Sequence, residues 1–355
     1  MNHSGERPKI FGTGLIALDL VIGLDSDAPV HSWAGGTCGN VLTIMRYLGW
    51  DAYPIARMNG DPASERVRAD LVRWGVSLDH TNCAPTGHTP IIIQQIKRAR
   101  DGSPTHRFLW TCPHCGKRLP SYRPVTQHAV EEVARDLPGS SVFFMDRLSR
   151  AALSLAAEAA HAGAVVVFEP SGKSDEKQFA EAMKIAHVVK YSDQRLSEAG
   201  GAMTDSSATL LEIQTLGSQG LRYRHRLAGQ ISDWSLCPSV PAPRVIDTCG
   251  SGDWCTAGIL ARAASRGLSG LREMDAQGLS EALRFGQVLA AWNCGFEGAR
   301  GGMYSVEAWE FQNQINAIMK GRPVLRTVAR QERSAPSIAC PACPPALGAT
   351  ASASN

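Results

Sequence analysis

Short apolar runs alternate with stretches of helical period through most of this chain, and few folds accommodate that rhythm. Residues 9–16, 52–57, 141–146, 164–169, 186–191, 209–216 and 222–227 read as strands. Residues 39–48, 62–74, 127–136, 149–162, 175–184, 253–266 and 278–295 read as helices. Apolar strands that alternate with helices predict a mostly parallel sheet covered by helices on both sides, an α/β domain of three layers. A chain of 355 residues, 44% of them apolar, has ample material for such a core. Two stretches break the alternation. Residues 90–96 and 106–110 look like paired strands joined by a loop holding Asp101-Gly102.

Two glycine turns lead into helices where such a sheet would build a site. The first in importance is Asp247-Thr248-Cys249-Gly250-Ser251-Gly252-Asp253, followed by the small and apolar run Trp254 to Leu260. The free N–H groups and dipole of a helix start favour an anion, and Gly250 and Gly252 let backbone approach it closely. Asp253 would repel a phosphate, yet it suits the removal of a proton from a hydroxyl that attacks phosphorus. A glycine-rich helix cap with an acid in its first turn reads the same way. The second turn is Ala34-Gly35-Gly36-Thr37-Cys38-Gly39-Asn40. Apolar positions 41, 44, 45 and 48 then share one helical face, and Gly49 sits where a C-cap belongs. Asn40 either caps that helix or contributes an amide to a site. Upstream, Ile10 to Asp19 reads as a buried first strand ending in an acid, and sites form beyond the C-terminal ends of strands in open sheets.

Asp19, Gly35-Gly36, Asn40 and the segment ending at Asp253, in that order, resemble the ribokinase-like (PfkB) family of sugar and nucleoside kinases across residues 9–305. Weaker landmarks fall between and after them: Asn59-Gly60-Asp61, Trp74-Gly75-Val76, Thr89, Glu169-Pro170, Leu216-Gly217-Ser218-Gln219-Gly220 and Gly298-Ala299. The resemblance implies a three-layer αβα fold with a small β lid, here from residues near 20–34 and 88–112. It implies transfer of the γ-phosphate of ATP, with Mg²⁺, to a sugar or nucleoside hydroxyl, and a homodimer formed through the lid. Asp253 would be the general base, with the N–H groups of Gly250, Ser251 and Gly252 as the anion hole. Asp19, Gly35, Gly36 and Asn40 would hold the acceptor, and Thr248, Gly217 and Gly220 the nucleotide. One element departs from the family. Where Asn-x-x-Glu helps to place the metal, this chain reads Ser192-Asp193-Gln194-Arg195, leaving Asp193 as the substitute carboxylate. That change keeps a second reading open: a catalytically weak kinase fold that binds a ligand or partner through an added loop.

That loop, residues 111–124, contains Cys112-Pro113-His114-Cys115-Gly116, a Cys-x-x-Cys knuckle of the kind found in zinc ribbons. Structural zinc takes four ligands and this pair supplies two. Cys340 and Cys343, or His106, His114 and His128, are candidates for the others; the remaining reading is a loop with two reduced cysteines or a redox pair. If the loop borders the substrate mouth, Lys117, Arg118 and Arg123 favour an anionic or large substrate. The net charge of +3 and the isolated basic clusters at 97–100 and 222–226 give no sign of a nucleic-acid fold. No apolar run reaches the length of about 18 residues that a membrane span needs, and residues 1–9 lack a signal-type apolar region. Ten cysteines without framework spacing fit the cytoplasm. Residues 1–320 are expected to form the kinase domain, and 321–355, rich in Pro, Ala and Ser towards the end, a disordered tail.

Overall fold

A computed structural model describes residues 6–23, 30–58, 60–83, 88–100, 102, 104–113, 115–172, 175–196, 203, 208–227 and 229–322. Asn59, His114, Cys340, Cys343, part of the expected lid (24–29) and the tail beyond 322 lie outside the described residues. In chain order the strands are β1 (Lys9–Thr13), β2 (Ala17–Ile22), β3 (His31–Gly35), β4 (Asp51–Met58), β5 (Thr81–Cys83), β6 (Ile91–Arg98), β7 (Pro104–Leu109), β8 (Val142–Met145), β9 (Val165–Phe168), β10 (Val188–Ser192), β11 (Leu211–Thr215), β12 (Gly220–Leu227), β13 (Gln230–Ile231) and β14 (Ser235–Pro238). The helices are α1 (Thr37–Tyr47), α2 (Pro62–Arg73), α3 (Gln127–Val133), α4 (Arg150–His161), α5 (Glu176–Ile185), α6 (Ser251–Ala263), α7 (Gly267–Arg272), α8 (Ala276–Asn293), α9 (Gly301–Ser305) and α10 (Ala308–Met319).

The large sheet has ten strands in the order β13-β12-β11-β10-β9-β8-β1-β4-β5, with β14 paired to β12. From β5 to β11 every pairing is parallel; β12 to β14 add antiparallel pairings at the far side. The cause is visible in β8 and β9, whose residues Val-Phe-Phe-Met and Val-Val-Val-Phe are buried throughout. Val142 and Phe144 join a core cluster with α1, α6 and α8, while Phe143 and Met145 join a second with α4 and α5. Alternate residues of one strand thus feed two cores, which is what a sheet between two helical layers requires. The seven strands and seven helices expected from periodicity are all present; β5, β13, β14, α7, α9 and α10 are further elements that the period did not predict. No helix among the described residues is long and apolar enough to cross a membrane.

A separate four-stranded sheet runs β3-β2-β6-β7. It corrects the reading of the first strand. β1 stops at Thr13 because Gly14 adopts φ 150 and leaves room for the Asp146 carboxylate, which a Cβ at that position would meet at 1.7 Å. Leu15 N–H donates to Asp146 Oδ1 at 2.9 Å, and the chain turns away into β2. Asp19 therefore lies within β2, opposite Trp33 and Ile92, rather than at the end of a central strand.

α6 and α8 cross at Gly258 and Gly286, where a Cβ on Gly286 would lie 2.6 Å from the Cys255 carbonyl oxygen. Overpacking of this kind costs roughly 1–3 kcal/mol, so Gly286→Ala is expected to lower Tm by several degrees in a thermal melt. An unchanged Tm would show that the two helices can part at no cost.

Candidate active site

The start of α6 is built by its glycines. Gly250, the N-cap, takes the left-handed conformation at φ 73, and a Cβ there would strike Ala299 at 2.4–2.5 Å. The first-turn N–H groups of a helix have no intrahelical acceptors, and here no side chain caps them. Ser251 N–H is partly occupied, reaching back to the Thr248 carbonyl at 3.2 Å. Asp253 sits in that first turn, half-buried, and accepts a hydrogen bond from Asn40 Nδ2 at 2.8 Å. Asn40 is 4% exposed in the first turn of α1. Two glycine turns 213 residues apart are therefore joined through one amide and one carboxylate. Desolvation, reinforced by the charge of Glu169, pushes the Asp253 carboxyl up to about 8, against the Asn40 hydrogen bond and the Lys190 and Arg195 charges.

Asp19 arrives from the four-stranded sheet. Its carboxylate lies over Gly35, where a Cβ would meet it at 1.9 Å, and accepts from Gly36 N–H at 3.4 Å. Burial pushes its carboxyl up to about 7, although Gly36 N–H and Arg300 work the other way. Its Oδ1 is buried with no hydrogen-bond partner among the described residues. An exposed acceptor atom would be hydrated; a buried one without a partner is suited to a ligand hydroxyl.

Sequence reasoning missed three groups here. Lys190, 3% exposed, forms an ion pair with Glu169 Oε1 at 2.9 Å, while the Thr256 hydroxyl donates to Glu169 Oε2 at 2.7 Å. Burial opposes the Lys190 charge most strongly of any single influence, but Glu169, Cys255 and Asp253 together outweigh it and hold the ammonium above its usual range. A Cβ on Gly252 would be 3.8 Å from that Nζ, so a buried cation adjoins the start of α6. A lysine inside an otherwise apolar parallel strand was the available signal. Asp146, just past β8, is pushed up to about 6 by burial despite Arg147 at 2.8 Å. Its position immediately after an apolar strand was the clue. Arg300, 1% exposed, donates from Nε to Asn40 Oδ1 at 3.1 Å; its proximity to α1 leaves no trace in local sequence.

Asp247 is a clamp rather than a surface group. It is 1% exposed and accepts from Gln94 Nε2 at 2.6 Å, Gly298 N–H at 2.9 Å and Cys249 N–H at 3.0 Å. His106 Nδ1 lies 3.3 Å away. Burial works against its charge, but these donors hold the carboxyl below its usual range. Gln94 and His106 belong to β6 and β7, so Asp247 fastens the small sheet to the segment that starts α6.

Asp193 and Gly217 lie together at the ends of β10 and β11, where Asp193 N–H donates to the Thr215 carbonyl at 3.1 Å. Gly220 follows the short turn Gly217–Gln219, and Thr248 is exposed just before α6. Among the described residues, no hydrogen bond or ion pair links these four to Asp253 or Asn40. Arg195 adds its positive charge near both Asp253 and Asp146.

Around the cysteine pair, Cys112 N–H donates to the Lys117 carbonyl and Gly116 N–H to the Cys112 carbonyl. Cys112 is buried and Cys115 exposed. Among the described residues no three His, Cys, Asp or Glu side chains converge to hold a metal. His106 is committed to Asp247, and His128 lies 3.4 Å from Glu132. The basic cluster 222–226 is spent on neighbours: Arg224 pairs with the buried Glu212, and Arg222 bonds Gln214 and stacks on Trp234.

The family described as pfkB family carbohydrate kinase matches residues 27–305. A fructokinase of Klebsiella pneumoniae is 25% identical over 287 residues, covering 73% of this chain and 86% of that protein. The fructokinase of Xylella fastidiosa with bound ATP superposes with a TM-score of 0.67 at 17% identity, over 88% of this chain and 98% of the other. Aminoimidazole riboside kinase of Salmonella enterica, complexed with aminoimidazole riboside and an ATP analogue, superposes with a TM-score of 0.62 at 22% identity, over 88% and 99%.

Proposed function

Because the chain belongs to the pfkB family of carbohydrate kinases, we propose that it transfers the γ-phosphoryl group of ATP to a hydroxyl of a sugar or nucleoside-like acceptor, with Asp253 as general base. The observation that carries this reading is the Asn40–Asp253 hydrogen bond at the uncapped start of α6. It puts a proton acceptor and a row of N–H donors side by side, one for the hydroxyl and the other for the phosphoryl oxygens. Asp19 Oδ1, Gly35, Gly36 and the Asn40 amide would orient the acceptor. The hydroxyl oxygen attacks the γ-phosphorus, its proton passes to Asp253, and the bond to the β-phosphate oxygen breaks to release ADP. Backbone N–H groups at Gly250, Ser251 and Gly252, backed by the Lys190 ammonium, would take the negative charge. Thr248, Gly217, Gly220 and Asp193 would line the nucleotide. Mg²⁺, when bound, would neutralise phosphate charge. Both Glu169 oxygens are occupied, and Asp193 is exposed. That donor set fits a metal carried on nucleotide phosphates and water rather than a cage of side chains.

An open recess beside Gly14 is lined by Arg57, His88, Thr89, Tyr122 and Arg123, among others, with no carboxylate among its lining residues. This supports an acceptor that carries negative charge away from the reacting hydroxyl. A coupled ADP-release assay across neutral sugars, nucleosides, sugar acids and sugar phosphates is the direct test. Turnover of at least one acceptor is expected, with anionic ones preferred. Turnover of none would leave the weak-kinase reading standing instead.

The base must be ionised to act. With Asp253 at about 8, kcat/KM is expected to rise with pH and level off above that value. A profile flat between pH 6 and 9 would remove Asp253 as the base. Stability should move the opposite way: the folded carboxyl holds its proton more tightly than its ordinary value of 3.8 allows, so its contribution is complete below 3.8 and lost as pH rises through about 8.

A further inference from the structure

Arg300 is buried at 1% exposure and belongs to none of the groups assigned above to acceptor, nucleotide or phosphoryl transfer. Its Nη2 bonds Asp70 Oδ2 at 2.8 Å and the Ala34 carbonyl. Asp70 in turn accepts from Ala34 N–H at 2.9 Å and from the Tyr304 hydroxyl at 2.8 Å, and the Tyr304 ring stacks on Trp33 at 4.4 Å. These contacts fix the guanidinium and the strand end that presents Gly35. They do not account for its Nε, which donates to Asn40 Oδ1 at 3.1 Å.

An amide has one accepting end and one donating end. A guanidinium only donates, and an ionised carboxylate only accepts. With Arg300 on one side and Asp253 on the other, only one orientation of Asn40 satisfies both. Flipping the amide would set its NH₂ against the guanidinium and its oxygen against the carboxylate. We propose that Arg300 is a positioning residue for phosphoryl transfer: it locks the Asn40 amide so that Nδ2 donates to Asp253. The proposal rests on the reading of Asp253 as the base, and it goes beyond that reading by giving the base its own orienting chain, Asp70–Arg300–Asn40–Asp253.

The other groups around Asp253 are Glu169, Lys190 and Arg195 from the strand ends, Cys38 from α1, and Cys249 from its own turn. None of them bonds the Asn40 amide. An effect of Arg300 on Asp253 should therefore pass through Asn40. That route separates it from a staple that only holds the fold.

The test reads Asp253 directly, by carbon NMR of aspartate-labelled full-length protein over a pH series, with its signal identified by its loss in Asp253→Asn. Removing Arg300 alone would leave Asp70 buried without its cation, so the main variant is Arg300→Met with Asp70→Asn. That pair keeps an acceptor for Ala34 and Tyr304 and buries no charge. Arg300→Lys is the second variant, since one ammonium cannot serve Asp70 and Asn40 with the same fork. Loss of one hydrogen bond to the ionised form should raise the Asp253 midpoint by about one pH unit in either variant. Asn40→Ala should do the same, and Arg300→Met, Asp70→Asn placed on Asn40→Ala should add nothing. An unmoved midpoint, or a shift that persists on the Asn40→Ala background, overturns the proposal. The outcomes also separate it from the kinase reading. Shifted midpoints in a protein that turns over no acceptor keep the Arg300 chain and end the assignment of function; turnover with an unmoved midpoint does the reverse.

Discussion

Asp253→Asn is expected to lower kcat on the order of 10²–10⁴-fold while leaving the fold and nucleotide binding in place. The substitution keeps the shape of the side chain and a partner for Asn40 Nδ2, which now lies 2.8 Å from Oδ2. It removes only the ability to take a proton. The loss should therefore appear in kcat, with little change in the apparent KM for ATP. Because the Asp253 carboxyl sits at about 8, the wild-type enzyme should close some of its advantage over the variant at acidic pH, where its own base is protonated. The check is a pair of pH–rate profiles, wild type and Asp253→Asn, in the same ADP-release assay. If the variant matches wild-type turnover at pH 8 or above, proton transfer to this residue is not part of the rate.

The largest effect on stability is expected at Asp247. Its two oxygens serve three donors at 3.0 Å or less from three separate parts of the chain: Gln94, Cys249 and Gly298. Asp247→Ala would leave those buried donors without their acceptor, at a cost of about 1–3 kcal/mol for each one stranded. A total near 4 kcal/mol is a reasonable expectation, a large share of what holds an ordinary domain together. Urea unfolding followed by tryptophan fluorescence measures it. The small sheet should also loosen, since Gln94 and His106 lose their anchor, so amide exchange in β6 and β7 should quicken more than in β8 and β9. Equal protection in both sheets, with unchanged stability, would mean that the clamp holds nothing.

Much of this was legible in the sequence because parallel strands and amphipathic helices announce themselves by period. The runs at 141–146 and 164–169 could hardly be anything but buried strands, and they are β8 and β9. The two glycine turns were equally plain, since Gly250 must take a left-handed conformation that few other residues tolerate. What periodicity could not show was where a strand changes sheets. Residues 9–19 carry one apolar pattern, yet β1 and β2 belong to different sheets because Asp146 stands over Gly14. Nor could local pattern reveal partners. Nothing near Arg300 points to Asn40, and nothing near Asp247 points to Gln94; such pairings exist only once the sheets have stacked. The Cys112–Cys115 pair is recognisable from its spacing alone, but a ligand set is a property of distant residues too.

The contact between Arg300 and Asn40 spans 260 residues of chain, and that between Asn40 and Asp253 spans 213. Contacts of such separation close late, because the intervening loop entropy is lost before they return any energy. On a ribosome, α1 emerges long before its amide has anything to hold. The site should therefore be the last part of this molecule to mature, and enzymatic activity should lag behind recovery of helical signal when the denatured protein is refolded. Such a protein would expose no competent active site until nearly the whole kinase region is in place, which makes catalysis itself a report on completed folding.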